Sequence, residues 1–316
     1  MTALNYQADL GSLPEREALE WAVAPDLVLT CRWPANDHPA GVVAFCHGLG
    51  SNGTEYAALS SHWAAHGYLV IHPTFRDAIN IVAREEPELG LDPETDLSGW
   101  TAMPAVRARM HEILHTPARW VERIDLVRRV IDALPRIVAG TCGRLDAGVP
   151  FAIAGHSFGA YTAQLLAGAT IDLFDDSRAV SFRDERFRAA ILLSAQGRDQ
   201  QGLGEGSWDA MDGPVLTVTG TLDRGAKGGD WRWKSEPFEL APEGGKYLAV
   251  LEDGDHYLGG MTDRDVERRV PAQQAAVAAI TLAFLDAHLR DRPAARRWLT
   301  ALDDAADATL FRFRSK

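Results

Sequence analysis

Apolar residues in this chain fall into short unbroken runs, separated by longer stretches in which they recur every three or four positions. Gly41-Val42-Val43-Ala44-Phe45-Cys46 is continuously apolar, the pattern of a strand buried on both faces of a parallel sheet. Leu27 to Trp33, Tyr68 to His72, Phe151 to Ala154, Ala189 to Ser194, Pro214 to Thr219 and Lys246 to Leu251 read as further strands. Between them, Thr54 to His66 carries Tyr56, Leu59 and Trp63 at helical spacing and ends at Gly67. Arg119 to Val138 repeats the spacing with Val121, Ile124, Val127, Val130, Ile131 and Leu134, which predicts one amphipathic helix. Ala160 to Ala167 and the alanine-rich Pro271 to Leu289 are helical, and Ala294 to Leu310 is a second C-terminal helix that closes the chain. Near the start, Glu15 to Trp21 is compatible with a helix.

Strands that alternate with helices predict an α/β fold with a mostly parallel sheet covered on both faces. One domain over residues 1–316 fits this length. The alternation breaks between 73 and 118, where Glu85-Glu86-Pro87, Asp92-Pro93, Gly99-Trp100 and Met103-Pro104 precede a helical Val106 to Leu114. An insertion of that size between a core strand and the next core helix reads as a lid or substrate wall.

Composition narrows the partners. The formal charge is −12, which argues against nucleic acid and anionic membranes, since both are bound through positive surface. Hydrophobic residues make up 46% and charged ones 24%, enough apolar material for a large core. The cysteines Cys31, Cys46 and Cys142 are odd in number and widely spaced, so neither a disulfide framework nor a zinc site is expected. No partner spacing makes a metal site of His72, His111, His115 or His288, which are expected at the surface or satisfied in the core. Residues 1–9 lack a basic region followed by an apolar core, and no segment has the length of a membrane span. A cytoplasmic protein without metal or cofactor is the expectation; oligomeric state is not legible.

The chemistry gathers where strands end, which is where ligands of such sheets bind. Phe151 to Ala154 runs into Gly155-His156-Ser157-Phe158-Gly159-Ala160, a Gly-x-Ser-x-Gly between a strand and a helix. There the serine sits on a strained turn that projects its hydroxyl, and a side chain at either glycine would collide with strand or helix. A serine hydroxyl needs a base, and the base needs a carboxylate to hold its tautomer. Gly220-Thr221-Leu222-Asp223 and Asp253-Gly254-Asp255-His256 follow two later strands, in the chain order nucleophile, acid, base. Asp199, past the strand ending at Ser194, is the rival acid, because some hydrolases place it one strand earlier. An oxyanion hole would take the Phe158 N–H and the Leu49 N–H of His47-Gly48-Leu49, with Gly48 allowing close backbone approach and His47 bonding within the loop. Trp208, Trp231 and Trp233, with Gly48, are the residues expected around an apolar pocket.

These stretches, together with His72-Pro73-Thr74-Phe75-Arg76-Asp77 and Gly254-Asp255-His256-Tyr257, resemble the α/β-hydrolase superfamily. Within it the chain is similar to the dienelactone-hydrolase-like and platelet-activating-factor-acetylhydrolase-like esterases, over roughly residues 26–300. Dienelactone hydrolases carry a cysteine nucleophile where this chain has Ser157. Members of the acetylhydrolase branch can carry the acid after the earlier strand, which keeps Asp199 in play. The resemblance implies a serine hydrolase that forms an acyl-enzyme with a small to medium, apolar ester. Lactonase, thioesterase, peptidase or acyltransferase chemistry would use the same Ser157, Asp223 and His256. An inactive scaffold that only binds is the non-enzyme alternative.

Overall fold

The computed structural model of the chain describes residues 6, 8, 11–173, 177–262, 269–305 and 309–316, with 304 and 305 by backbone alone. The elements are β1 (Glu15–Ala24), β2 (Leu27–Pro34), β3 (Gly41–Cys46), α1 (Ala57–Ala65), β4 (Tyr68–Pro73), α2 (Ile79–Glu85), α3 (Pro104–Leu114), α4 (Pro117–Asp132), α5 (Leu134–Gly140), β5 (Phe151–His156) and α6 (Phe158–Leu166). They continue with β6 (Thr170–Ile171), β7 (Val180–Ser181), β8 (Phe187–Leu193), β9 (Val215–Gly220), α7 (Trp231–Lys234), α8 (Glu236–Leu240), β10 (Lys246–Leu251), α9 (Pro271–His288), α10 (Pro293–Ala305) and β11 (Phe311–Ser315).

Nine strands form the main sheet in the order β1-β2-β4-β3-β5-β8-β9-β10-β11. The six from β4 to β10 are parallel, and β1, β2 and β11 add antiparallel pairs at the two edges. The unbroken apolar runs have the cause expected of them. Val43 and Phe45 of β3 pack with Trp63 of α1 and with α9 and α10 on one face, while Ala44 and Cys46 pack with Trp120, Ile124 and Val127 of α4 and with α6 on the other. A strand covered on both sides has no polar face to alternate with.

Three expectations need correction. Glu15 to Trp21 is part of β1, not a helix: its backbone pairs with β2 from Glu15 opposite Pro34 to Ala24 opposite Leu27. Its residues are mostly exposed, but Val23 is buried beside Trp33 and Trp21 packs with them, so tertiary pairing overrides a weak helical preference. The single helix from Arg119 to Val138 is two, α4 and α5, because Pro135 has no N–H to continue the ladder. The chain closes on a strand rather than a helix. Phe311 and Phe313 of β11 are buried while Arg312 and Arg314 are exposed, the period-2 pattern of an edge strand with one covered face.

Between β4 and α4 the insertion folds around its own small cluster. Ile79 and Val82 of α2, Trp100, and Val106, Met110 and Ile113 of α3 bury one another, and Leu49 packs against them. The insertion is thereby seated over the loop that follows β3.

Candidate active site

β5 ends in the turn to α6, and Ser157 at its apex has φ 55° and ψ −118°, a conformation that costs a residue with a side chain about 1–3 kcal/mol. Its glycine neighbours are enforced by contact. A Cβ on Gly155 would lie 2.2 Å from the Gly159 carbonyl oxygen, and one on Gly159 would lie 1.9 Å from that of Cys46. The strain is held by the Ser157 N–H donating to Leu193 O at 2.8 Å and by the Tyr161 N–H returning to Ser157 O at 3.1 Å.

The hydroxyl of Ser157 donates to Nε2 of His256 at 3.0 Å. On the far side of the ring, Nδ1–H donates to Asp223 Oδ1 at 2.9 Å. Acid and base loops are fastened to each other: Leu222 N–H donates to Gly254 O, Thr221 N–H to Leu251 O, and Asp253 N–H to Thr221 Oγ1. A Cβ at Gly220 would meet the Gly254 oxygen at 2.2 Å, so the crossing of these loops needs glycine. Asp199 is not on this path. It lies in a separate hollow with Asp172 and Lys227, and it is Asp223 that faces the imidazole.

Two residues at the acid were not foreseen. Ser194, at the end of β8, places Oγ 2.8 Å from His256 Nδ1 and bonds to the Asp223 carboxylate. Lys234 is buried, donates to Ser194 O at 3.2 Å and brings Nζ within 3.9 Å of Asp223 Oδ1. Asp230 caps α7, its carboxylate accepting from Arg232 and Trp233 N–H, and this one turn of helix delivers the lysine. Burial pushes the Asp223 carboxyl up, but the Lys234 ammonium and the hydrogen bonds from His256 and Ser194 hold it well below the ordinary carboxylate range. The acid stays charged. Burial lowers Lys234, and the Asp223 charge opposes that. Four lysines scattered through the chain offered no signal that one of them would be buried there.

A second chain of bonds runs behind the nucleophile. His156 Nε2–H donates to the backbone carbonyl of His256 at 2.8 Å. Nδ1 must then accept, and the Tyr56 hydroxyl donates to it at 3.0 Å. The Tyr56 oxygen in turn accepts the Gly48 N–H at 3.0 Å. Burial, followed by the nearby His256 charge, lowers His156 to about 3, so it stays neutral. The loop after β3, the elbow and the His256 loop are joined by one tyrosine and one histidine.

That loop is tied down from its other side as well. His47 Nε2 accepts the Phe75 N–H at 2.9 Å and Nδ1–H donates to Gly48 O at 2.7 Å, which makes it a bonding residue of the loop. Buried Arg123, paired with Asp77 at 2.7 Å, donates to His47 O and lies over the rings of Phe75 and Phe158. The Gly48, Gly50 and Ser51 amides go to Tyr56 Oη, Asp77 O and Gly48 O. None of these bonds uses the Leu49 N–H, and the Phe158 N–H, the first amide of α6, has no acceptor within its helix.

A cavity of about 230 Å³ opens over Ser157 and His256 and includes Gly48, Leu49 and Trp233. Trp100, Thr101, His111 and Leu114 of the insertion form part of its wall, so His111 stands at the cavity rather than apart from it. Two of the three tryptophans expected at the pocket stand elsewhere. Trp208 is fully buried under α6, its indole N–H given to Gln164 Oε1. Trp231 packs on Phe238, Leu248 and Val250. Both sit in loops of the right region, but packing turned them toward the body of the fold. No group of histidine, cysteine or carboxylate side chains with metal-binding geometry occurs among the described residues.

The mostly parallel sheet with helices around it is an α/β-hydrolase fold, and the family match makes the protein a serine esterase by superfamily and a hydrolase of ester bonds. The chain belongs to the family described as platelet-activating factor acetylhydrolase, isoform II, which it matches over residues 28–218. The matched span runs from β2 to β9 and includes Ser157, while Asp223 and His256 lie beyond it. No curated protein matches the chain.

Proposed function

We propose that the protein is a serine carboxylic-ester hydrolase that works through an acyl-enzyme on small to medium esters. The observation that carries this reading is the unbroken path from Ser157 Oγ through His256 to Asp223, at 3.0 and 2.9 Å. Ser157 attacks the ester carbonyl as His256 Nε2 takes its proton. Asp223 keeps the other ring proton on Nδ1 and stabilises the imidazolium. The Leu49 and Phe158 amides are the donors for the oxyanion. His256 passes its proton to the departing alcohol, then activates water for release of the acid.

Cavity size supports a short substrate: about 230 Å³ is below the range of pockets for drug-sized ligands. Leu49, Leu114, Trp100 and Trp233 in the wall suit a substrate with a largely apolar body. The test is labelling with a fluorophosphonate, followed by hydrolysis of p-nitrophenyl esters of increasing acyl length. Modification at Ser157 and turnover falling beyond short acyl chains are expected. An unlabelled wild-type protein would overturn the reading and favour a scaffold that only binds.

A further inference from the structure

Buried polar groups in a folded protein almost always have partners, and those that do not call for an explanation. Three buried side-chain atoms in the wall of the cavity over Ser157, Trp100 Nε1, Gln196 Oε1 and Thr262 Oγ1, are without a hydrogen-bonding partner among the described residues. Their residues are 5%, 6% and 2% exposed. They come from distant parts of the chain: the insertion, the loop after β8, and the segment past His256. Their convergence on one cavity is a property of the site, not of a local turn.

The chemistry of these atoms narrows what can satisfy them. An indole N–H only donates, an amide oxygen only accepts, and a threonine hydroxyl does either. Alkyl groups offer none of this. A carboxylate offers acceptors alone and would face the Gln196 oxygen; an ammonium offers donors alone. The ammonium would also lack a counter-charge, because no aspartate or glutamate is among the described wall residues, in a chain with 44 acidic ones. A hydroxyl both donates and accepts. It fits the Trp100 N–H, and it fits the Gln196 amide in either orientation of that group.

We infer that the cavity beside Ser157 is a subsite for a short hydroxylated ester, recognised by Trp100, Gln196 and Thr262. The inference rests on the esterase reading and refines its substrate: an apolar body with a hydroxyl on its acyl or its alcohol side. A site built to bond a hydroxyl discriminates against the analogue without it more strongly than an apolar pocket discriminates between methylenes, because its own polar groups are left unpaired.

Two pairs of esters in which a hydroxyl replaces a methyl test this on either side of the ester. Acyl-side recognition is read from p-nitrophenyl 3-hydroxybutyrate against p-nitrophenyl 3-methylbutyrate. Alcohol-side recognition is read from 3-hydroxybutyl acetate against 3-methylbutyl acetate, followed by acid release. In one pair, wild-type kcat/KM should favour the hydroxylated member by about tenfold or more. The ratio should fall toward one in Gln196→Met and in Trp100→Phe. Ratios at or below one in both wild-type pairs overturn the inference without any variant, as does a wild-type preference that survives both substitutions. Fluorophosphonate labelling of Ser157 in the same preparations separates the two levels: labelled protein with flat ratios removes only the subsite, whereas unlabelled wild type removes the esterase reading as well.

Discussion

The hydroxyl of Tyr56 stands between the Gly48 amide, which it accepts, and Nδ1 of His156, to which it donates, both at 3.0 Å. Because His156 Nε2–H is committed to the His256 carbonyl, directions along this path are fixed. Tyr56→Phe would leave a buried N–H and a buried ring nitrogen unpaired, at about 1–3 kcal/mol each. A lower melting temperature and a loss of about tenfold or more in kcat, with KM changed less, are the expected result. Unchanged turnover would mean that the loop is positioned by Arg123 and His47 alone.

Lys234 brings a buried positive charge to within 3.9 Å of Asp223. His256 is faced by Asp223 from the β9 loop, by Ser194 from the end of β8, and by His156 and Ser157 from the elbow, while Lys234 from α7 meets Asp223 and the Ser194 carbonyl behind them. Removing the cation in Lys234→Met takes away the charge that most opposes the burial of Asp223, so the carboxylate should be easier to protonate and kcat/KM should fall off at higher pH on the acidic side. A profile identical to wild type would show that the charge is not felt at the carboxylate.

Ser157 is strained in its backbone rather than by packing. Ser157→Ala keeps the strain and should lose about 10⁴ or more in turnover, as triad substitutions do. Ser157→Gly, equally inactive, relieves it and should be more stable than the alanine variant by about 1 kcal/mol. Urea unfolding of the two variants compares them directly, and a glycine variant that unfolds first would contradict the strain.

The acid assignment separates by substitution. Asp223→Asn removes the acceptor that fixes the His256 tautomer and should cost about 10⁴ in turnover. Asp199→Asn, in its separate hollow, should stay within about threefold of wild type. The reverse ranking on one ester at one pH would move the acid to the earlier strand.

Burial lowers His156 to about 3, His62 and His288 to about 4, and His72 well below its ordinary value. In the unfolded chain these rings take up protons near pH 6.5, which the folded chain does only several units lower. Stability is therefore fully present above pH 6.5 and falls from there toward pH 4, by up to about 1.4 kcal/mol per pH unit for each such ring. Asp223, held below the carboxylate range, adds to the loss only below about pH 4. Melting temperature should drop steadily between pH 7 and 5, and a flat profile would contradict neutral burial of these histidines.

Legibility was highest where one residue type serves one mechanical need. Gly155, Ser157 and Gly159 can be read from spacing alone because a Cβ at either glycine would enter a backbone carbonyl, and no alternative residue meets that demand. The strands β3, β5 and β10 were legible because burial on both faces leaves a nearly unbroken apolar run. β1 was not, since Glu15 to Leu19 has the composition of a helix and becomes a strand only through its pairing with β2. β11 escaped for a similar reason: two phenylalanines alternating with two arginines before Ser315 are too short a run to signal without the edge of β10 to receive them.

The sequence by itself determined the strained Gly-x-Ser-x-Gly turn, the chain order of Ser157, Asp223 and His256 at strand ends, and the alternation that makes a parallel sheet, because each follows from local sterics or from periodicity. Only the tertiary structure decided which carboxylate faces His256, that Ser194 and Lys234 surround it, that Tyr56 and His156 join three loops, and that Trp208 and Trp231 turn into the body while Trp100 and Gln196 reach the cavity. These depend on which strand ends become neighbours and on how far a buried side chain extends across them. Residues as distant as Tyr56 and His156 meet because β3 lies beside β5, and no feature of either residue's own neighbourhood in the chain carries that information.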